Sequence, residues 1–189
     1  MAKAEVDPSE IDSYRRQLAE RDEEIRRLKA VVDSFLSIDV DSGLLNRNGL
    51  LEAIKRASLW WDRRREPFGV MAIRMPRLAD LDPAAVPDVM ARVANALSDT
   101  GRAVDDIGKM DESTFVLVLR EFHRHGATAV VSRMRIALRQ SIANPGLTDD
   151  IRFGLVVAVE TGSHQPTDYL QDALNASLEA TPDLHRFAE

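Results

Sequence analysis

An apolar residue returns at every seventh position through Ile11, Leu18, Ile25 and Val32, and a second series runs through Tyr14, Leu28 and Phe35. This spacing predicts one long helix over residues 9–37 with a narrow apolar seam of about four repeats. The rest of the stretch is charged, so the seam suits a two-stranded coiled coil better than a helix lying on a globular core. Ile and Val in one series with Leu28 in the other favour parallel strands. That register sets Glu10 near Arg15, and Glu24 near Lys29, of the partner helix. Arg21 interrupts the second series, where a polar seam residue costs stability and can fix register. The competing expectation is a single solvated helix, which is marginal without a partner.

After Phe35 the period changes. A polar segment with Asp39, Asp41, Ser42 and Gly43 breaks the heptads, and a second amphipathic helix is predicted from about Asn46 to Arg64. Strands follow near Phe68–Met75, Asp106–Met110, Thr114–Arg120 and Ile151–Val159, with helices near Val86–Ser98, Gly126–Gln140 and Thr167–Ala180. The close pair around Asp111–Ser113 reads as a hairpin, so a mixed sheet flanked by helices is expected rather than a parallel one. The domain plan is a dimerisation helix over 1–37, a globular domain over 38–182 and a tail over 183–189.

The chain has 189 residues, with 25 Lys and Arg against 31 Asp and Glu, a net charge of 25 − 31 = −6. That balance disfavours a nonspecific nucleic-acid binder held by phosphate contacts. With no cysteine, thiolate metal sites and cysteine nucleophiles are excluded, and a reducing compartment, the cytoplasm, is expected. No apolar run is long enough for membrane insertion, and the amino terminus is not signal-like. His123, His125, His164 and His185 lack metal-type spacing. Trp60 and Trp61 end the second helix, so one is expected to pack on the sheet and the other to stay partly exposed. Arg63–Arg65 reads as a solvated helix end.

The segment Asp39-Val40-Asp41-Ser42-Gly43-Leu44-Leu45-Asn46-Arg47 resembles the D-x-L-T-G-L-x-N-R opening signature of the GGDEF family of diguanylate cyclases. The later landmarks follow in the family's order over residues 38 to about 180. The resemblance implies a bacterial signalling protein with an α+β fold like a nucleotide-cyclase palm: a five-stranded mixed sheet surrounded by helices. Active members join two GTP molecules into cyclic di-GMP across a dimer.

At the hairpin, the family's Gly-Gly-Asp-Glu-Phe aligns with Asp111-Glu112-Ser113-Thr114-Phe115. Two glycines let a nucleotide lie against the backbone, whereas Asp111 and Glu112 bring side chains and negative charge. The acidic pair that helps hold Mg²⁺ in active relatives becomes Ser113 and Thr114. On the first strand, Arg74 stands at the family's first metal carboxylate. The expectation is therefore a degenerate member without cyclase activity, metal or cofactor.

One feature outside the catalytic centre does match. The family's inhibitory R-x-x-D site, five residues before the hairpin motif, aligns with Arg102-Ala103-Val104-Asp105, and Arg133 falls where a further arginine completes that site. Arginine's planar fork suits phosphate and the guanine O6/N7 edge. The resemblance thus implies a dimeric cyclic di-GMP receptor. The alternative is a nucleotide-independent scaffold that uses the fold and the coiled coil to bind a protein partner, with Arg102, Asp105 and Arg133 as ordinary surface and turn residues.

Overall fold

The computed structural model describes residues 8–35, 37–158 and 164–188, with no side chains described for 8–13, 29–30 and 32–35. The chain divides into two compact units, Met1–Phe35 and Leu36–Glu189. In the first, helix α1 spans Pro8–Phe35. Four residues of its predicted seam, Tyr14, Leu18, Ile25 and Leu28, are exposed. The side chains of Ile11, Val32 and Phe35 lie outside the described residues.

The second unit runs α2 (Arg47–Arg64), β1 (Phe68–Arg74), a 3-10 turn (Pro76–Asp80), α3 (Val86–Thr100), β2 (Asp106–Lys109), β3 (Thr114–Arg120), α4 (Ala127–Ile142), a short α5 (Pro145–Thr148), β4 (Arg152–Val157), α6 (Pro166–Glu179) and β5 (Arg186–Phe187). The five strands form one mixed sheet in the order β2-β3-β1-β4-β5. β1 lies antiparallel between β3 and β4, β2 is antiparallel to β3, and β5 is parallel to β4.

Both faces of the sheet are covered, which is why β1 and β3 read as continuous apolar runs rather than alternating ones. On one face Met71, Ile73, Phe115, Leu117, Phe153 and Leu155 pack with Met90, Val93 and Leu97 of α3 and Val131, Met134 and Leu138 of α4. On the other, Val70, Ala72, Val116, Val118 and Val156 meet Leu50, Ile54 and Ala57 of α2 and Tyr169, Leu170 and Ala173 of α6. Gly154 permits that second layer: a Cβ there would collide with the Ser177 amide and the Ala173 carbonyl of α6.

Helix boundaries follow local chemistry. The Asn46 side chain accepts from Gly49 N at 3.0 Å and caps α2. Arg65, at φ 57°, ends it in the left-handed region, its N–H returning to Trp61 O. Gln165 and Asp168 form a reciprocal capping box on α6.

The segment 183–189, expected as a tail, instead contributes β5, with Arg186 beside Gly154, Phe187 beside Leu155, and Ala188 N donating to Leu155 O at 2.8 Å. Two residues are too few to carry an alternating signal. Among the described residues no helix is long and apolar enough to cross a membrane.

Candidate functional site

Arg74, the last residue of β1, stands between Thr114 of β3 and Arg152 of β4 in the sheet register. Strand residues alternate faces, so all three continue the rows of Val70 and Ala72, Val116 and Val118, and Val156 on the α2/α6 side. Thr114 is fully buried. Its Oγ1 and the Nε of Arg74 are both buried without a hydrogen-bond partner. Arg152 places its fork on Asp150, with Nε to Oδ1 at 2.8 Å and Nη2 to Oδ2 at 3.0 Å.

The hairpin that delivers Thr114 is closed by its own side chains. Asp111 Oδ1 accepts from the Ser113 amide at 2.8 Å and the Ser113 hydroxyl at 3.1 Å, an Asx-turn. Met75 N donates to Ser113 O at 2.8 Å, tying the hairpin to the end of β1. Glu112 is exposed at the tip, and Phe115 is fully buried on the α3/α4 side. Sequence neighbours 111–115 thus divide between turn, tip and core. Among the described residues, no group of three or more His, Cys, Asp or Glu gathers where a metal ion could be held.

Arg102 and Asp105 sit in the tight turn between α3 and β2, and they engage each other. Asp105 accepts from Arg102 N at 3.0 Å, Arg102 Nε at 3.4 Å, Arg102 Nη2 at 3.3 Å and Arg120 N at 3.1 Å. Its side chain is only 1% exposed, against 45% for Arg102. Arg102 Nη2 also donates to Arg120 O. Arg133 is exposed on α4, and no hydrogen bond or ion pair among the described residues joins it to Arg102 or Asp105.

The opening signature does structural work. Asp39 accepts from Ser42 N at 2.8 Å and Ser42 Oγ at 2.5 Å, and Lys109 Nζ of β2 lies 3.7 Å from its carboxylate. Partial burial opposes ionisation, but the Ser42 hydrogen bonds and the Lys109 charge outweigh it and hold the Asp39 carboxyl below its ordinary value. Leu45 bridges both to Ile38 and to Gly108. The contact with β2 is close: a Cβ on Gly108 would lie 2.7 Å from Leu45 O.

At the end of α2, Trp61 packs against the α2/α6 core, whereas Trp60 is 40% exposed. Arg64 lies 4.3 Å, and Arg120 6.0 Å, from the Trp60 ring centroid. Trp60 borders two depressions. One includes Arg56, Arg63 and Arg64, and the other Pro67, Val104, Arg120 and Glu121. Sequence reasoning assigned Trp60 no site. The signal was present in a tryptophan one helical turn before an arginine, yet its meeting with β3 and the Arg102–Asp105 turn is tertiary.

Solved structures share this architecture. The diguanylate cyclase SiaD of Pseudomonas aeruginosa, in complex with its activator SiaC, superposes with a TM-score of 0.66 at 17% identity, over 95% of this chain and 71% of that one. The coiled coil and GGDEF domain of DgcB from Caulobacter crescentus, in complex with c-di-GMP, gives a TM-score of 0.66 at 14% identity, over 93% and 98%. A microbial GGDEF domain described in a novel interaction mode with cyclic di-GMP gives 0.64 at 19%, over 80% and 94%. At such identities the likeness establishes the fold. No curated protein sequence matches the chain. The sequence of residues 36–183 does match the family model for the diguanylate cyclase GGDEF domain, so the opening signature, the palm-like sheet and the central hairpin have one common source: this chain belongs to the GGDEF family.

Proposed function

We propose that the chain is a non-catalytic GGDEF protein, paired through α1, that receives cyclic di-GMP rather than making it. One observation carries the non-catalytic reading: Arg74 and Thr114 are register partners at the end of β1, so a guanidinium and a hydroxyl stand where the resemblance calls for metal carboxylates, and Arg152, the other neighbour of Arg74, adds a second guanidinium beside them. Magnesium is held by anionic oxygens and needs near-octahedral geometry, and arginine stays protonated. The Asp111 carboxylate is engaged within its own turn. Purified protein given GTP and Mg²⁺ is expected to form no cyclic di-GMP, and product formation overturns the reading.

The receptor half is supported by Arg102 and Asp105 at the family spacing, and by relatives whose structures hold cyclic di-GMP. Calorimetric titration tests it. Cyclic di-GMP is expected to bind the full chain and to be lost in Arg102→Ala; no heat at high micromolar ligand rejects it.

A second reading is favoured by the state of Asp105, whose carboxylate already takes four donated hydrogen bonds and is almost closed to solvent. On that reading the domain is a scaffold without nucleotide affinity, and a partner protein is lost when residues 1–37 are deleted.

A further inference from the structure

We infer that the groove beside Trp60 is a guanine-nucleotide pocket, a site distinct from the Arg102–Asp105 ion pair it adjoins. The inference deepens the receptor reading and rests on it for the identity of the natural ligand, though not for the chemistry of the groove.

Three groups converge there. Trp60 offers a partly exposed indole face at the surface. Purine rings stack on such a face irrespective of base identity. Val104 and Pro67 line the same groove, and Val104 is 56% exposed with nothing apolar covering it. Glu121 also lines the groove. It follows β3 in the left-handed region at φ 48°, and its carboxylate makes no hydrogen bond or ion pair among the described residues. A free carboxylate beside an aromatic platform matches guanine, whose N1–H and N2–H are adjacent donors, and it repels adenine, whose corresponding N1 is an acceptor.

Phosphate has its own partners. Arg64, 61% exposed at its side chain and 3.7 Å from the carboxylate of Glu66, which also lines the groove, lies over Trp60 and can leave the indole as a base arrives. Arg63, and Arg56 whose Nη2 lies 3.2 Å from Asp106 Oδ1, line the second depression that Trp60 borders. Arg120 reaches the groove from β3, and its Nε is buried with no partner. Guanidinium groups are suited to such phosphate contacts by their fork geometry.

The arrangement also removes a difficulty. Asp105 is occupied by Arg102 and Arg120, so it cannot read a guanine edge without breaking those bonds. Val104 belongs to the same turn, and Arg120 supplies the carbonyl that Arg102 grips. A ligand seated on Trp60 therefore touches the Arg102–Asp105 turn while leaving its internal bonds whole.

The test follows Trp60 emission in a Trp61→Phe background while cyclic di-GMP, GMP and AMP are added in turn. Cyclic di-GMP and GMP are expected to quench it and AMP to do so weakly. In calorimetric titration, which needs no tryptophan, Trp60→Ala should weaken binding about tenfold or more, by loss of stacking. Glu121→Gln should abolish the preference for guanine over adenine with less effect on GMP affinity. Quenching by GMP without binding of cyclic di-GMP supports the groove and removes the receptor reading. Binding of cyclic di-GMP that is lost in Arg102→Ala but unchanged in Trp60→Ala and Glu121→Gln supports the receptor and overturns the groove. No response to any nucleotide overturns both.

Discussion

The carboxylate of Asp105 lies under the guanidinium of Arg102, 3.3 Å from Nη2 to Oδ1, and shares that position with the Arg120 amide. The pair thus joins the turn after α3 to the far end of β3. Removing the carboxylate orphans the Arg120 N–H and frees the turn, so Asp105→Ala is expected to lower stability by about 2 kcal/mol. Arg102→Ala leaves two backbone donors on Asp105 and should cost only about 1 kcal/mol. Urea unfolding of the two variants checks the order, and equal or reversed losses would show that the ion pair does not hold the turn.

Thr114 presents the opposite case, a hydroxyl that is fully buried and bonds to nothing. Burying an unsatisfied hydroxyl is unfavourable, whereas valine has the same shape without the polar atom. Thr114→Val is therefore expected to raise stability by about 1 kcal/mol, read as a higher urea midpoint with unchanged slope. A lower midpoint would mean that the hydroxyl has a partner after all.

Asp39 and His185 both contribute to the response to acid. Burial first, and then the Arg135 charge, push the His185 imidazole below its ordinary 6.5. Its folded form binds a proton less readily than the unfolded chain, so its contribution is complete above 6.5 and is lost as the pH falls beneath that value. Asp39 is likewise held below its ordinary 3.8, and its contribution disappears only in stronger acid, as the pH falls through the lowered folded value. His185→Gln should accordingly flatten the fall of Tm between about pH 7 and pH 5, while Asp39→Asn should lower Tm at neutral pH and reduce the loss below about pH 4. A parallel shift of the whole profile in His185→Gln would assign the residue a packing role alone.

How far the sequence spoke depended on the range of the interactions involved. The helices were legible from their period and β1 and β3 from their unbroken apolar runs, because each element's own residues define what it buries, as Met71 and Ile73 do against α3 and α4 and Val70 and Ala72 against α2 and α6. β5 was not, because Arg186 and Phe187 become a strand only through Gly154 and Leu155 of β4. The spacing of Arg102 and Asp105 was visible, yet their mutual closure depends on Arg120, which belongs to another strand. For the same reason Asp111, conspicuous as a charge in the hairpin, proved to be the acceptor that shapes it. Trp60 shows the limit most clearly, since its neighbours Val104 and Arg120 arrive from distant parts of the chain.

The α1 seam gives the last prediction. Tyr14, Leu18, Ile25 and Leu28 are each more than half exposed, an apolar stripe that a solitary helix would leave in water. Sedimentation of the full chain is expected to show a dimer at micromolar concentration, and Ile25→Glu with Leu28→Glu a monomer. The double variant should also lose the helicity of α1, because an isolated helix of this kind is marginal, while the thermal transition of the sheet domain stays in place. Arg21→Leu should tighten the dimer, since it fills the polar gap in the second seam series. A wild-type chain that sediments as a monomer at every concentration would return α1 to the competing reading, a single solvated helix.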